Sequence, residues 1–226
     1  MTGSLVTPGA RARIRGVMTP VAVRLGKLGF TPNALTVIGF GIACVAAFAA
    51  ASQQWLGAGL LVIFGGVFDL FDGTLARATN RVSKLGAFMD SVFDRWGEGV
   101  VYVGIVWGAL ELGYWRTPLL AAAAMASAFM VSYTRAKAES LGFSPGTGMA
   151  SVGFAPREVR IVILTIGLGA AGILSGPLPG VGAGGAAYAL SAIALEVALG
   201  LIAVLATLTA IQRIVHTIRQ AQHQQG

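Results

Sequence analysis

Six apolar stretches, each near the length that crosses a lipid bilayer, set the limits on how this chain can fold. They run from about Ala34 to Ala51, Trp55 to Ala78, Leu85 to about Leu112, Pro118 to about Ala138, Val159 to Ile173 and Ala186 to about Ile211. A spanning helix needs about 20 mostly apolar residues. Charged residues make up only 11% of the chain, against about 25% in soluble domains. The mean hydropathy is +0.76. The expected fold class is an all-α integral membrane protein with six transmembrane helices.

The segments between the spans fit that reading. Ser52-Gln53-Gln54 reads as a turn, and residues 141–154 and Ser175 to Gly185, rich in Gly and Pro, read as loops. Residues 1–30 are basic and partly amphipathic. Val17, Met18, Val21, Leu25 and Leu28 recur at roughly helical spacing, with Arg24 and Lys27 between them. This pattern predicts a juxtamembrane amphipathic helix lying on the membrane surface, drawn by anionic headgroups. A disordered basic tail is the alternative, chiefly for residues 1–10. Phe30-Thr31-Pro32-Asn33 marks the break before the first span. The whole chain reads as one membrane domain: a surface helix over 1–30, a six-helix bundle over 34–215 and a polar tail over 216–226.

The net charge of +7 could point to nucleic acid, but its distribution points to topology instead. Of the 16 lysines and arginines, only Arg116 falls on the side opposite the N-terminus. So lopsided a count places both termini on the cytoplasmic face of a cell membrane. Cys44 is the sole cysteine, so no intrachain disulfide can form. Arg11, Arg13 and Arg15 lead into a mixed segment, not the short apolar core of a cleaved leader.

Against this apolar background, every aspartate of the chain lies between Asp69 and Asp94. Asp69 and Asp72 are spaced i, i+3; Asp90 and Asp94 are spaced i, i+4. On helices, each pair projects from one face. The polar link Thr79 to Lys84 is short, so the two helices are expected to return side by side and antiparallel. Four carboxylates in a low-dielectric setting repel one another and are costly unpaired. Divalent cations resolve that, and an all-oxygen donor set favours Mg²⁺, Mn²⁺ or Ca²⁺ over zinc. Two metal ions can bridge a pyrophosphate and stabilise both attacking and leaving oxygens. Gly73 and Ala76 leave room beside the backbone for a nucleotide, Arg77 offers a fork for phosphate oxygens, and Gly86 permits close helix approach.

The string D-x2-D-G-x2-A-R-x8-G-x3-D-x3-D, carried by Asp69, Asp72, Gly73, Ala76, Arg77, Gly86, Asp90 and Asp94, resembles the signature of the CDP-alcohol phosphotransferases without departure. The resemblance implies that Asp69, Asp72 and Asp90 hold two Mg²⁺ or Mn²⁺ ions, with Asp94 as ligand and general base. It implies that an acceptor alkoxide attacks the β-phosphorus of a CDP-lipid and CMP leaves. It assigns cytidine and pyrophosphate contacts to Gly73, Arg77, Ser83 and the Pro32, Asn33 and Thr36 entry, beside Ala76 and Gly86. It also implies a homodimer.

A second basic group flanks the fourth and fifth spans. Arg135, Lys137 and Arg157 could surround an acceptor phosphate; ordinary positive flanking is the other reading of them. The segment Ser132 to Glu139 resembles the S-Y-x-K-A-R-A-E stretch of actinobacterial phosphatidylinositol phosphate synthases, with Lys and Arg exchanged. The resemblance implies transfer of a phosphatidyl group from CDP-diacylglycerol to inositol phosphate; the basic-residue count puts the active site on the cytoplasmic side and accounts for the charge without nucleic acid. The rivals are glycerol 3-phosphate as acceptor, giving phosphatidylglycerophosphate, and, in another class, a divalent-cation transporter. Glu98 continues the Asp90/Asp94 face by one turn, as a supporting carboxylate or a water-facing one.

Overall fold

The computed structural model describes residues 19–143, 152–175 and 185–225, with side chains to 222, and all regular structure in it is helical. The sequence readings for residues 1–18, including Arg11, Arg13, Arg15, Val17 and Met18, fall outside the described residues, as do most of the two Gly/Pro-rich loops.

Helix α1 is described over residues 19–27. Its Ala22 is buried against Leu35 and Leu75, with Leu25 packed beside them. The chain then reverses through Gly29 at φ +94°, a left-handed conformation that costs glycine little. Helix α2 (Pro32–Ala51) starts where Thr31 accepts a hydrogen bond from the Ala34 amide, with Pro32 in the first turn. Helix α3 (Trp55–Ala78) follows after Gln53 at φ +64°. Helix α4 (Lys84–Glu111) is capped by Ser83, whose hydroxyl accepts from the Gly86 amide at 3.0 Å. Helices α5 (Thr117–Ser140), α6 (Arg157–Ser175) and α7 (Gly185–Gln225) complete the chain.

Helices α2, α3, α5 and α6, and α7 as far as Gln222, are long and apolar enough to cross a membrane. Helix α4 carries Asp90, Asp94, Arg95 and Glu98 up to its middle, which leaves residues 99–110 as its longest run free of charge. Helix α7 runs on well past Ile211. At 41 residues it is about 60 Å long, twice the hydrocarbon thickness. The segment expected as a polar tail is helical as far as Gln225.

The six long helices close into a ring in which each packs on two others, in the order α2, α3, α6, α7, α5, α4 and back to α2. One apolar cluster draws on all six: Ala46, Trp55, Ile105, Ala124, Leu168 and Leu199 are members. In lipid there is no hydrophobic drive between helices, so close packing of small residues carries association. A Cβ at Gly104 or Gly108 of α4 would collide with the Ala47 or Ala50 carbonyl of α2, and one at Gly172 of α6 with the Leu56 backbone of α3.

This order corrects one expectation. Helices α3 and α4 run in opposite directions but are not packed side by side; α2 lies between them and packs on both. The aspartate-bearing ends are thereby held apart with α2 behind them. Repelling carboxylates have no reason to close that gap, and the small face of α2 at Gly39 and Ala43 fills it from the back.

Candidate active site

The site lies where the C-terminal end of α3 and the N-terminal ends of α2, α4 and α6 meet. Thr36 of α2 is buried and its hydroxyl lies 2.7 Å from Asp72 Oδ2 and 3.2 Å from the Pro32 carbonyl. A hydroxyl has one proton, and the shorter contact takes it to Asp72. Gly39, one turn deeper on α2, lets that helix close on α3: a Cβ there would stand 3.0 Å from Asp69 Oδ1.

Arg157, at the start of α6, spans two of the carboxylates. Its Nη2 donates to Asp69 Oδ2 at 2.7 Å, and its Nη1 lies 3.1 Å from Asp94 Oδ1. Its Nε is buried with no partner among the described residues. Asp90 completes the group, within electrostatic reach of Asp69 and Asp72. Arg95, beside Asp94 on α4, stands 4.0 Å from its Oδ2 and donates to the Ser91 carbonyl at 2.6 Å.

Below the carboxylates lies a cavity of about 50 Å³. Thr36, Asp69, Asp94, Glu98 and Arg157 form its polar wall; Phe40, Leu61, Val101 and Leu164 form its apolar floor. Gly65, Gly66 and Gly97 keep it open.

The residues expected to meet a nucleotide fall in two local groups. Asn33, Ser83 and Gly86 come together where α2 and α4 begin: a Cβ on Gly86 would lie 3.1 Å from Ser83 Oγ and 3.3 Å from Asn33 Oδ1. Pro32 opens α2 beside them. The Arg77 guanidinium lies over Gly73, 3.4 Å from where a Cβ would be, and within 3.5 Å of Thr74 Oγ1. Ala76 is half-buried next to it.

The three cations expected around an acceptor phosphate have different partners. Arg157 points into the aspartates. Arg135 instead pairs with Glu139 on its own helix at 2.9 Å, and Lys137 is exposed two residues on, on a different face of α5. Three basic residues went unassigned at the sequence level. Arg95 is near enough to interact with both Arg157 and Arg135. Arg213 is buried in α7 and donates to the carbonyls of Val131 and Val152. Arg160 is 1% exposed and bonded to Glu98. The available signal was the cost of a charge inside an apolar helix, masked here because all three sit where positive flanking is ordinary. Glu98 faces a protein partner, not water.

As placed, no three His, Cys, Asp or Glu side chains among the described residues converge on a point that could hold an ion. The donor chemistry nonetheless fits a hard divalent cation, with four carboxylates on two facing helices and no sulfur or imidazole among them.

A family model described as CDP-alcohol phosphatidyltransferase matches residues 30–219. An archaetidylinositol phosphate synthase of Pyrococcus horikoshii is 36% identical over 156 residues, covering 69% of this chain and 78% of that protein. A phosphatidylinositol phosphate synthase of Streptomyces avermitilis is 33% identical over 219 residues, covering 94% and 82%. The crystal structure of Mycobacterium tuberculosis phosphatidylinositol phosphate synthase with CDP-DAG bound superposes with a TM-score of 0.73 at 26% identity, covering 89% of this chain and 93% of that one. A second crystal structure of that enzyme, in complex with manganese and citrate, superposes with a TM-score of 0.71 at 25% identity, covering 89% and 88%.

Proposed function

The chain belongs to the CDP-alcohol phosphatidyltransferase family, and on that premise we propose that it transfers the phosphatidyl group of CDP-diacylglycerol to inositol phosphate, releasing CMP. The observation that carries this reading is the aspartate groove between α3 and α4, backed by Thr36 and crossed by Arg157.

Asp69, Asp72, Asp90 and Asp94 hold two Mg²⁺ or Mn²⁺ ions, a metal assignment supported by the relative in complex with manganese. When bound, the ions supply charge neutralisation at the pyrophosphate and at the attacking oxygen. Thr36 fixes the Asp72 carboxylate through its hydrogen bond. Asp94 takes the proton from the acceptor hydroxyl. The resulting oxygen attacks the β-phosphorus, the bond from that phosphorus to the CMP oxygen breaks, and CMP departs. Pro32, Asn33, Ser83 and Gly86 form one side of the nucleotide rim, and Gly73, Ala76 and Arg77 the other. Arg157 has a planar fork that suits carboxylate and phosphate alike, and it stands where an acceptor phosphate must approach Asp94. Arg95 and Arg135 extend the positive field behind it.

The names of the relatives favour inositol phosphate over glycerol 3-phosphate as acceptor. A cation path is disfavoured by Arg157, a fixed positive charge lodged across the carboxylates. The test is product analysis with purified protein, CDP-diacylglycerol and, in parallel, inositol phosphate, inositol and glycerol 3-phosphate. Phosphatidylinositol phosphate as the main product supports the reading; phosphatidylglycerophosphate would overturn the acceptor, and no lipid product the reaction.

In the membrane, α4 is the sixth span, α1 lies on the surface, and both termini and the site face the cytoplasm. The distribution of basic residues supports this orientation, as does the gathering of the charged helix ends at one end of the ring. The active form is a homodimer.

A further inference from the structure

Helices α4 and α6 are not neighbours in the ring, yet two ion pairs join them. Asp94 meets Arg157 at 3.1 Å, and Glu98 meets Arg160 at 2.8 Å. Four residues separate the acids and three the bases, advances of about 6 Å and 4.5 Å along their helices, so the pairs stack as two rungs. The rungs differ in how they are held. Arg160 and Glu98 have side chains 1% and 5% exposed. Arg160 donates to Glu98 through Nε at 2.9 Å and Nη2 at 2.8 Å, and to the Ala155 carbonyl through Nη1 at 3.1 Å. The Ala155 amide in turn donates to Thr209 Oγ1 of α7 at 2.9 Å. The Arg157 side chain is 28% exposed and its Nε has no partner among the described residues.

We propose that Glu98 and Arg160 are positioning residues for the transfer step: their closed rung sets the start of α6 so that Arg157 reaches the acceptor side of the aspartate groove. Neither residue touches the reacting groups. A planar fork bonded at all three nitrogens has one geometry, so it fixes this turn of α6 relative to α4, in addition to what the packing of α6 on α3 and α7 sets. This inference rests on the reading of Arg157 as the contact for the acceptor's phosphate.

Removing one partner leaves a buried charge and threatens the fold, while replacing both with apolar side chains of similar size is tolerated far better. The informative variant is therefore Glu98→Leu with Arg160→Met, compared with Arg157→Ala and with all three changes together. Thermal melting in detergent reports the fold. The paired variant is expected to fold, to raise the acceptor KM about tenfold, and to leave the KM for CDP-diacylglycerol within about twofold. Added to Arg157→Ala, it is expected to raise the acceptor KM no further, because both changes act through one side chain. A folded paired variant with wild-type acceptor KM overturns the proposal, and so does a triple variant whose effects multiply. If the paired variant does not fold, Arg160→Lys, which keeps the charge but loses the fork, is read by the same two criteria. Wild-type protein that ignores inositol phosphate would sink the functional reading instead, which separates the two failures.

Discussion

Thr36 on α2 and Asp72 on α3 are joined by a buried hydrogen bond of 2.7 Å, and this contact brings a third helix into a site whose carboxylates come from two. A hydrogen bond to a charged group contributes about 1.5–3 kcal/mol. Thr36→Val keeps the shape and removes the donor. The expected outcome is a folded protein with a clearly lower turnover, restored in large part by Thr36→Ser. Turnover of both variants at saturating Mg²⁺ or Mn²⁺ checks this; equal activity of the Val variant would remove Asp72's orientation from the mechanism.

Chelation should abolish activity, and returning Mg²⁺ or Mn²⁺ should restore it. In Asp69→Asn or Asp90→Asn, one of four carboxylates becomes neutral, so activity is expected to be lost while the melting profile survives. Excess metal should not bring either variant back to the wild-type rate. Near-normal turnover in one of them would take that residue out of the metal set.

Asp94→Asn separates two roles. The amide keeps an oxygen that a metal ion can use but cannot accept the acceptor's proton. Loss of a general base costs about 10²–10⁴-fold in rate, so CDP-diacylglycerol binding should persist while product nearly vanishes. A parallel loss of binding and turnover would make Asp94 chiefly a ligand.

Arg157 and Arg135 should behave differently. Arg157 touches Asp69 and Asp94, whereas Arg135 is held on its own helix by Glu139. Arg157→Ala is expected to raise the acceptor KM strongly, Arg135→Ala only modestly, and Lys137→Ala least. Steady-state kinetics with inositol phosphate as the varied substrate give the order, and a dominant effect of Lys137 would invert this account of the site.

Much of the site's chemistry was legible in the linear pattern because it is local. Within one helix, spacing determines face, so Asp69 with Asp72 and Asp90 with Asp94 followed from i, i+3 and i, i+4. The start of α2 followed from Thr31-Pro32, because capping involves residues three apart. The length of α7 was misjudged for a local reason too: a polar run after an apolar helix ends the span but not the helix.

Which face meets which was decided only by the tertiary structure. The pairs that organise the site are distant in sequence: Thr36 with Asp72, Asp69 with Arg157, Glu98 with Arg160. Their meeting depends on the ring order, and that order is set where glycines of one helix admit the backbone of another, as at Gly104 and Gly172. Complementarity of that kind is a property of two surfaces together, so no spacing within either helix reveals it. For the same reason no spacing within α6 places Arg157 against the aspartates of α3 and α4.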